Sequence, residues 1–267
     1  MRWSVPARAA AVILASLCAG CTRSDGTYFE SSTLTVGYDE AVAPLAEGLM
    51  NAYEGVHETL ITSTQNASRD ALEAGLREHQ YDVLLLMLSI DDSNLPQVTI
   101  GFETLAVVVH PELSITGLSR DRLRSVFSGQ LTTLSELSVN ESIQVIVGLR
   151  GTSPRLAFET LVMDGIPFTS SARLSSSQTE SLRLVSENPY SMAFLPAMYV
   201  EGRVRRIEVL GEAANGQTDA PLYQLSVPVV LVAAGNPEGP AHDFLDWVLS
   251  EEGQRVTARY INPVASH

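Results

Sequence analysis

The 267-residue sequence predicts an α/β fold: a mixed, mostly parallel sheet flanked by helices. Three observations carry this. Stretches with an apolar period near two alternate with stretches of helical period along most of the chain. Asp82 to Leu88 (DVLLLML) and Phe102 to His110 are apolar almost throughout, as strands covered on both faces are. The chain closes on Pro240 to Tyr260, where Phe244, Trp247, Val248 and Val256 share one side of a helix.

In chain order, Thr33 to Gly37 reads as a short strand. Glu40 to Tyr53 has Val42, Leu45, Leu49 and Met50 at helical spacing, with Pro44 in the first turn, where proline is tolerated. Thr59 to Thr64 alternates as a strand. Ser68 is placed to cap a helix running through Leu76. The two apolar strands complete a βαβαβ order, which implies parallel pairing and helices on both faces. A second unit follows: a helix over Leu118–Phe127 capped by Ser119, a strand over Ile143–Gly148, and a helix over Pro154–Met163. Thr179–Ser186 is helical, and Tyr190–Leu195 and Leu222–Ala233 are strands. The serine-rich stretch Thr169–Ser177 reads as a loop.

Charge is lopsided, with 17 Lys+Arg against 31 Asp+Glu, formally −14. A nucleic-acid binder needs a basic face to replace phosphate counterions, so nucleic acid is excluded as a partner. Arg2 and Arg8 precede an apolar run, Ala9 to Leu17, too short to span a bilayer as a helix. Residues 1–21 read as a leader. Leu17-Cys-Ala-Gly-Cys21 resembles a bacterial lipobox, in which Cys21 takes the lipid, although Cys18 stands where leucine is usual. An ordinary secretory signal cut nearby, or a Cys18–Cys21 pair, is the alternative. Without Arg2 and Arg8 the body has 15 basic and 31 acidic residues, −16. Residues 22–32 (TRSDGTYFESS) read as a tether. The expected location is the periplasmic or cell-surface face of a bacterial membrane, with contact to the membrane through the lipid anchor alone.

Several segments, in order and spacing, resemble the phosphate-type periplasmic binding proteins, the PstS-like branch and its lipoprotein members. Val36 to Leu45 (VGYDEAVAPL) is similar to that family's first strand, turn and helix. Leu118 to Gly129 resembles its helix ending in Phe-x-Gly, with Leu134 in place of a following tryptophan. Val145 to Phe158 (VIVGLRGTSPRLAF) resembles its strand, arginine loop, Ser-Gly-Thr and helix. Asn188–Leu195, Leu222–Val232 and Phe244–Tyr260 resemble later elements. The resemblance implies a two-lobed, type II fold with lobe I from 33–110 and 222–267, and lobe II from 111–221. It implies a hinged cleft that binds phosphate or a similar oxyanion for an ABC importer, with permease subunits as partners and no cofactor or metal.

An oxyanion can be held by amides at helix starts, where the helix dipole favours negative charge. Three starts carry suitable side chains: Tyr38 to Glu40, Asn66 to Ser68, and Arg150 to Arg155. The candidate ligand-binding residues are Tyr38, Ser68, Ser89, Arg150, Thr152, Ser153 and Arg155, and each of the three helix starts has a plain alternative. Ser68, Thr152 and Ser153 have helix capping alone as the alternative role. Arg150 and Arg155 can be surface charges. Asp39 and Glu40 can serve a helix dipole. Ser89 stands nearest the family's proton-accepting aspartate, with Asp91 and Asp92 as approximate candidates. Departures are visible as well: Ser153 and Pro154 replace glycine and threonine, and Gly148 stands where the family has arginine.

A hydrolase is disfavoured. The five histidines, His57, His79, His110, His242 and His267, accompany no Gly-x-Ser-x-Gly or His-Glu-x-x-His pattern. The expectation is a binding protein with no catalytic residues. A surface or sensory lipoprotein that keeps the fold but has lost or changed its ligand is the alternative.

Overall fold

The computed structural model describes residues 32–66, 68–134, 141–211 and 224–264. The leader, Cys21, residues 22–31 of the tether, Ala67 and the expected strand start at Leu222 lie outside them. Ser32, assigned to the tether, already begins the first strand.

The strands are β1 (Ser32–Asp39), β2 (Thr59–Asn66), β3 (Val83–Met87), β4 (Gln97–Val109), β5 (Gly117–Ser119), β6 (Gln144–Gly148), β7 (Arg173–Ser175), β8 (Ser191–Pro196), β9 (Arg205–Leu210), β10 (Ser226–Ala233) and β11 (Asn262–Pro263). The helices are α1 (Ala43–Glu54), α2 (Arg69–Arg77), α3 (Arg120–Phe127), α4 (Ser153–Phe158), α5 (Gln178–Glu187), α6 (Pro240–Leu249) and α7 (Glu251–Thr257). Short 3₁₀ turns cover Glu40–Val42 and Ala197–Tyr199, and a π-helical turn over Glu159–Met163 continues α4.

The sheet runs β2-β1-β3-β10-β4-β8-β6-β7 among the described residues. Its two outer portions are parallel: β1 with β2 and β3, and β6 with β7 and β8. The central portion is antiparallel, because β10 inserts between β3 and β4, and β4 pairs against β8 and β9. The strand expected next in the run, Phe102 to His110, lies in β4 and therefore does not pair with β3. A strand from the far end of the chain takes that place, and strand spacing cannot show a partner so distant in sequence.

β4 belongs to both halves of the sheet. Its residues 97–104 pair with β10, and its residues 105–109 pair with β8. The β1 half and the β8 half thus meet at Glu103–Leu105. One continuous apolar core underlies both, from Leu34, Leu45 and Tyr53 to Phe127, Phe158 and Phe194. In the β8 half, Phe158 and Phe194 stack with centroids 4.0 Å apart, and Phe127 tilts against both. In the β1 half, Tyr53 meets Phe244 and Trp247 edge-on, which clamps α1 to α6.

Local chemistry explains the helix starts. Ser68 accepts from Ala71 N and Ser119 from Arg122 N, both at 3.3 Å. The closing helix is split. Ser250 leaves the helical conformation and caps α7 by accepting from Gly253 N. At Gly37 the chain needs glycine for close approach, since a Cβ there would fall 2.6 Å from Leu84 Cδ2 and 3.0 Å from the Tyr81 ring. No helix among the described residues is long and apolar enough to cross a membrane.

Candidate functional site

The carboxyl end of β1 meets the start of α4 at the joint between the two halves. Asp39 ends β1 and caps the Glu40–Val42 turn, accepting from Ala41 N at 2.9 Å through Oδ1. Its side chain is 2% exposed, and Oδ2 has no partner. Burial pushes its carboxyl up to about 6; the Ser153 hydroxyl, the Ala41 amide and the Arg69 charge pull the other way, and Glu40 adds repulsion. Ser153, the first residue of α4, is fully buried, and its hydroxyl also lacks a partner. The Ser153 hydroxyl is near enough to favour the charged form of Asp39. The two groups do not close a hydrogen bond of ordinary geometry.

Glu40 crosses the joint. Its Oε1 accepts from the backbone N of Gln178 at 3.0 Å, and its Oε2 from Gln178 Nε2 at 3.2 Å. Its backbone carbonyl accepts from Tyr199 Oη at 2.6 Å. Gln178 opens α5, and Tyr199 closes the Ala197–Tyr199 turn after β8. Both belong to the β8 half. Burial first, then the charges of Glu40, Asp39 and Glu47 and the Tyr38 hydroxyl, push the Tyr199 hydroxyl far above its usual range. Tyr38 is buried beside Glu47, and its hydroxyl is also pushed up, by burial and then by Glu47. The joint therefore gathers Tyr38, Asp39, Glu40, Ser153, Gln178 and Tyr199.

The other sequence candidates have local duties. Ser68 is exposed and caps α2. Ser89 lends only its carbonyl, which accepts from Arg69. Arg69 also donates to the carbonyls of Met87 and Leu88 and to Glu73, and so fixes the end of β3. Thr152 precedes α4 without a side-chain cap; its hydroxyl donates to Leu149 O at 2.8 Å. Arg155 is buried, not outward: Nη1 donates to Gly148 O, Nε to Glu159, and the guanidinium lies 5.0 Å from the Phe168 centroid. Arg150 is exposed and lines, with Arg155 and Phe168, two open cavities of about 310 and 510 Å³ on the β8 half. Asp92 is half-buried and accepts from Asn94 N and Arg77. Among the seven candidates, Tyr38 and Ser153 reach the joint.

Sequence reasoning passed over Gln178 and Tyr199. Gln178 follows the capping serine Ser177, and Tyr199 sits in an unremarkable turn. Nothing local in either segment signals a contact to residue 40.

A second buried carboxylate marks the joint. Glu103 lies on β4 just before its partner changes, 2% exposed. Its Oε1 accepts from Thr104 N at 2.6 Å and Ala197 N at 3.2 Å, while Oε2 has no partner. Burial pushes its carboxyl up to about 7; the Thr104, Ala197 and Met198 amides and Arg206 pull it down by less. Glu103 thus braces the turn that carries Tyr199.

No family model matches the chain. Over 174 residues it is 24% identical to the phosphate-binding protein PstS of Bacillus subtilis, covering 62% of this chain and 56% of that protein's length. Among solved structures, it superposes on one from Clostridium perfringens, with bound phosphate, described as a phosphate ABC transporter substrate-binding protein. The TM-score is 0.75 at 20% identity, over 88% of this chain and all of that one. An ABC-type phosphate transport receptor from Vibrio cholerae gives a TM-score of 0.70 at 22% identity, over 87% of this chain and all of that one. The reduced OxyR regulatory domain from Pseudomonas aeruginosa gives 0.56 at 15% identity, over 81% and 94%. The fold is mixed α/β, like that of these periplasmic binding proteins. Within that class the chain is PstS-like in fold, and its transport relatives are binding proteins, not enzymes.

Proposed function

We propose that this chain is an extracytoplasmic substrate-binding protein of an ABC importer, and that it takes phosphate or a similar oxyanion at the joint between its halves. Residues 33–110 with 222–267 form one lobe in this reading, and residues 111–221 the other. The permease is the partner, and Cys21 carries the lipid that holds the protein at the outer face of its membrane. The observation that carries the reading is the meeting of the β1 end with the start of α4, where Ser153 Oγ and Asp39 Oδ2 are buried without partners. Such groups are costly to leave unmade and are satisfied when a ligand arrives.

The charge of the joint sets a condition. An ionised Asp39 repels an oxyanion, whereas a protonated one donates a hydrogen bond to it. With Asp39 at about 6, an oxyanion binds more tightly at pH 5 than at pH 8. Titration calorimetry with phosphate, sulfate and tungstate on delipidated protein tests this. The expected result is saturable heat, stronger at the lower pH. No heat with any of the three at either pH rejects the oxyanion reading.

A second reading is favoured by the same acids. Asp39 and Glu40 bring negative charge to the joint, Pro154 lacks an amide donor, and Gly148 provides no cation. A surface or sensory lipoprotein with a changed or lost ligand has this appearance, and the OxyR neighbour is a regulatory domain on a related fold. Uptake of labelled phosphate by a deletion strain separates the two readings: a defect restored by the gene favours transport, and unaltered uptake favours the sensor.

A further inference from the structure

The carboxylate of Glu40 does what a bound solute does in a two-lobed protein. It leaves its own short turn and takes donors on the opposite half. At the start of α5 the helix's own cap, Ser177, accepts from Glu180 N at 3.1 Å. That leaves the amide of Gln178 without an intrahelical acceptor, as the first amides of any helix are. Glu40 Oε1 fills that place, its Oε2 takes the Gln178 side-chain amide, and Tyr199 Oη grips the Glu40 carbonyl. All three bonds run between residues at least 138 positions apart in sequence. Gln178 is 6% exposed, so the contact is sheltered from water. Beside it, Asp39 Oδ2 and Ser153 Oγ remain buried and unpaired.

We propose that Glu40 is a tethered anionic ligand: its carboxylate holds the two halves together without solute, and an oxyanion enters beside Ser153 only by displacing it. This rests on the binding-protein reading given above. Glu40 is covalently attached, so it competes at a high effective concentration whatever the solute level. It therefore sets a threshold. A weakly held anion fails to enter, and the favoured ligand is a small protonated oxyanion. Such a ligand can accept from Gln178 N, from Ser153 Oγ and from the protonated Asp39 carboxyl. The groups facing Asp39 are Glu40 and the Ala41 amide on its own turn, Ser153 on α4, the charge of Arg69 on α2, and the Tyr199 hydroxyl on the turn after β8.

Small-angle scattering and a pair of fluorophores, one on each half, test the proposal on the delipidated chain, with and without 10 mM phosphate. The wild type is expected to be compact without phosphate. Glu40→Ala is expected to expand without phosphate and to bind it about tenfold more tightly than the wild type, because no internal anion competes. Gln178→Glu sets two carboxylates against each other and is expected to expand too. The double variant Glu40→Gln with Gln178→Glu exchanges the amide and the acid and is expected to regain compactness, which misfolding cannot mimic. A Glu40→Ala variant as compact as the wild type in the absence of phosphate overturns the proposal, as does a double variant that stays expanded. If the variants expand as expected but neither they nor the wild type bind phosphate, the Glu40 latch between the halves stands, and its displacement by an oxyanion falls with the oxyanion reading. If the wild type binds phosphate but no variant expands, the reverse holds.

Discussion

Glu103→Gln is expected to stabilise the protein, and more so at alkaline pH. The native carboxyl titrates at about 7, against 4.5 for an ordinary glutamate. Between those values the folded chain holds a proton that the unfolded chain has released, so stability falls as pH rises through that window. Below pH 4.5 both states are protonated and the burial penalty is absent. Above pH 7 the full difference counts, about 3 kcal/mol at about 1.4 kcal/mol per tenfold. Glutamine keeps a carbonyl to accept from Thr104 N and Ala197 N, and it places a neutral amide where Oε2 has no partner. The variant therefore gains about 3 kcal/mol at pH 8 but only about 1 kcal/mol at pH 5, where the native carboxyl is already neutral. For a chain of this size that is roughly 8 °C in melting temperature at the higher pH. Thermal unfolding followed by circular dichroism at both pH values measures it. An equal gain at the two pH values, or a loss at pH 8, refutes the assignment of Glu103 as a buried, proton-holding group.

Two further outcomes follow from packing. Arg69→Ala removes the fork that clasps three consecutive carbonyls, Met87, Leu88 and Ser89, around a Leu88 held at φ 75°; urea unfolding should show a loss of about 3 kcal/mol, with Arg69→Lys unable to restore it. Gly253→Ala pushes a methyl against the Trp247 carbonyl and to 2.6 Å from Val248 Cα where α7 folds back on α6; the same measurement should report a loss of about 3 kcal/mol.

Elements governed by neighbouring residues were legible in the sequence. Ser68 and Ser119 cap helices because a hydroxyl three residues before an amide is all that a cap requires. Pro44, Pro154 and Pro240 fall at the first or second position of their helices, where the missing donor costs nothing. The break at Ser250 had a local signal too: a serine followed by two acids and a glycine that donates back to it. β7 was hidden inside a serine-rich stretch. β9 (RRIEVL) was missed because it alternates with charge and pairs partly with the three-residue β5. The antiparallel placement of β4 and β10 depends on a strand more than a hundred residues away. At the site, Asp39 and Glu40 read alike as acids serving a helix start. Asp39 serves its own turn, whereas Glu40 serves α5, and only the tertiary fold separates these destinations.

The shared strand β4 has a consequence for how the molecule can be taken apart. Residues 97–104 of it supply the partners of β10 and residues 105–109 those of β8, so a cut between Thr104 and Leu105 parts the two pairings. Fragment 32–104 lacks β10, and fragment 105–211 lacks residues 97–104 of β4, so either expressed alone should give insoluble product. At this crossing, rotation of one half against the other must be taken up as twist along an unbroken strand. Gene fragments exchanged between relatives would keep their partners only at ends that leave this strand whole.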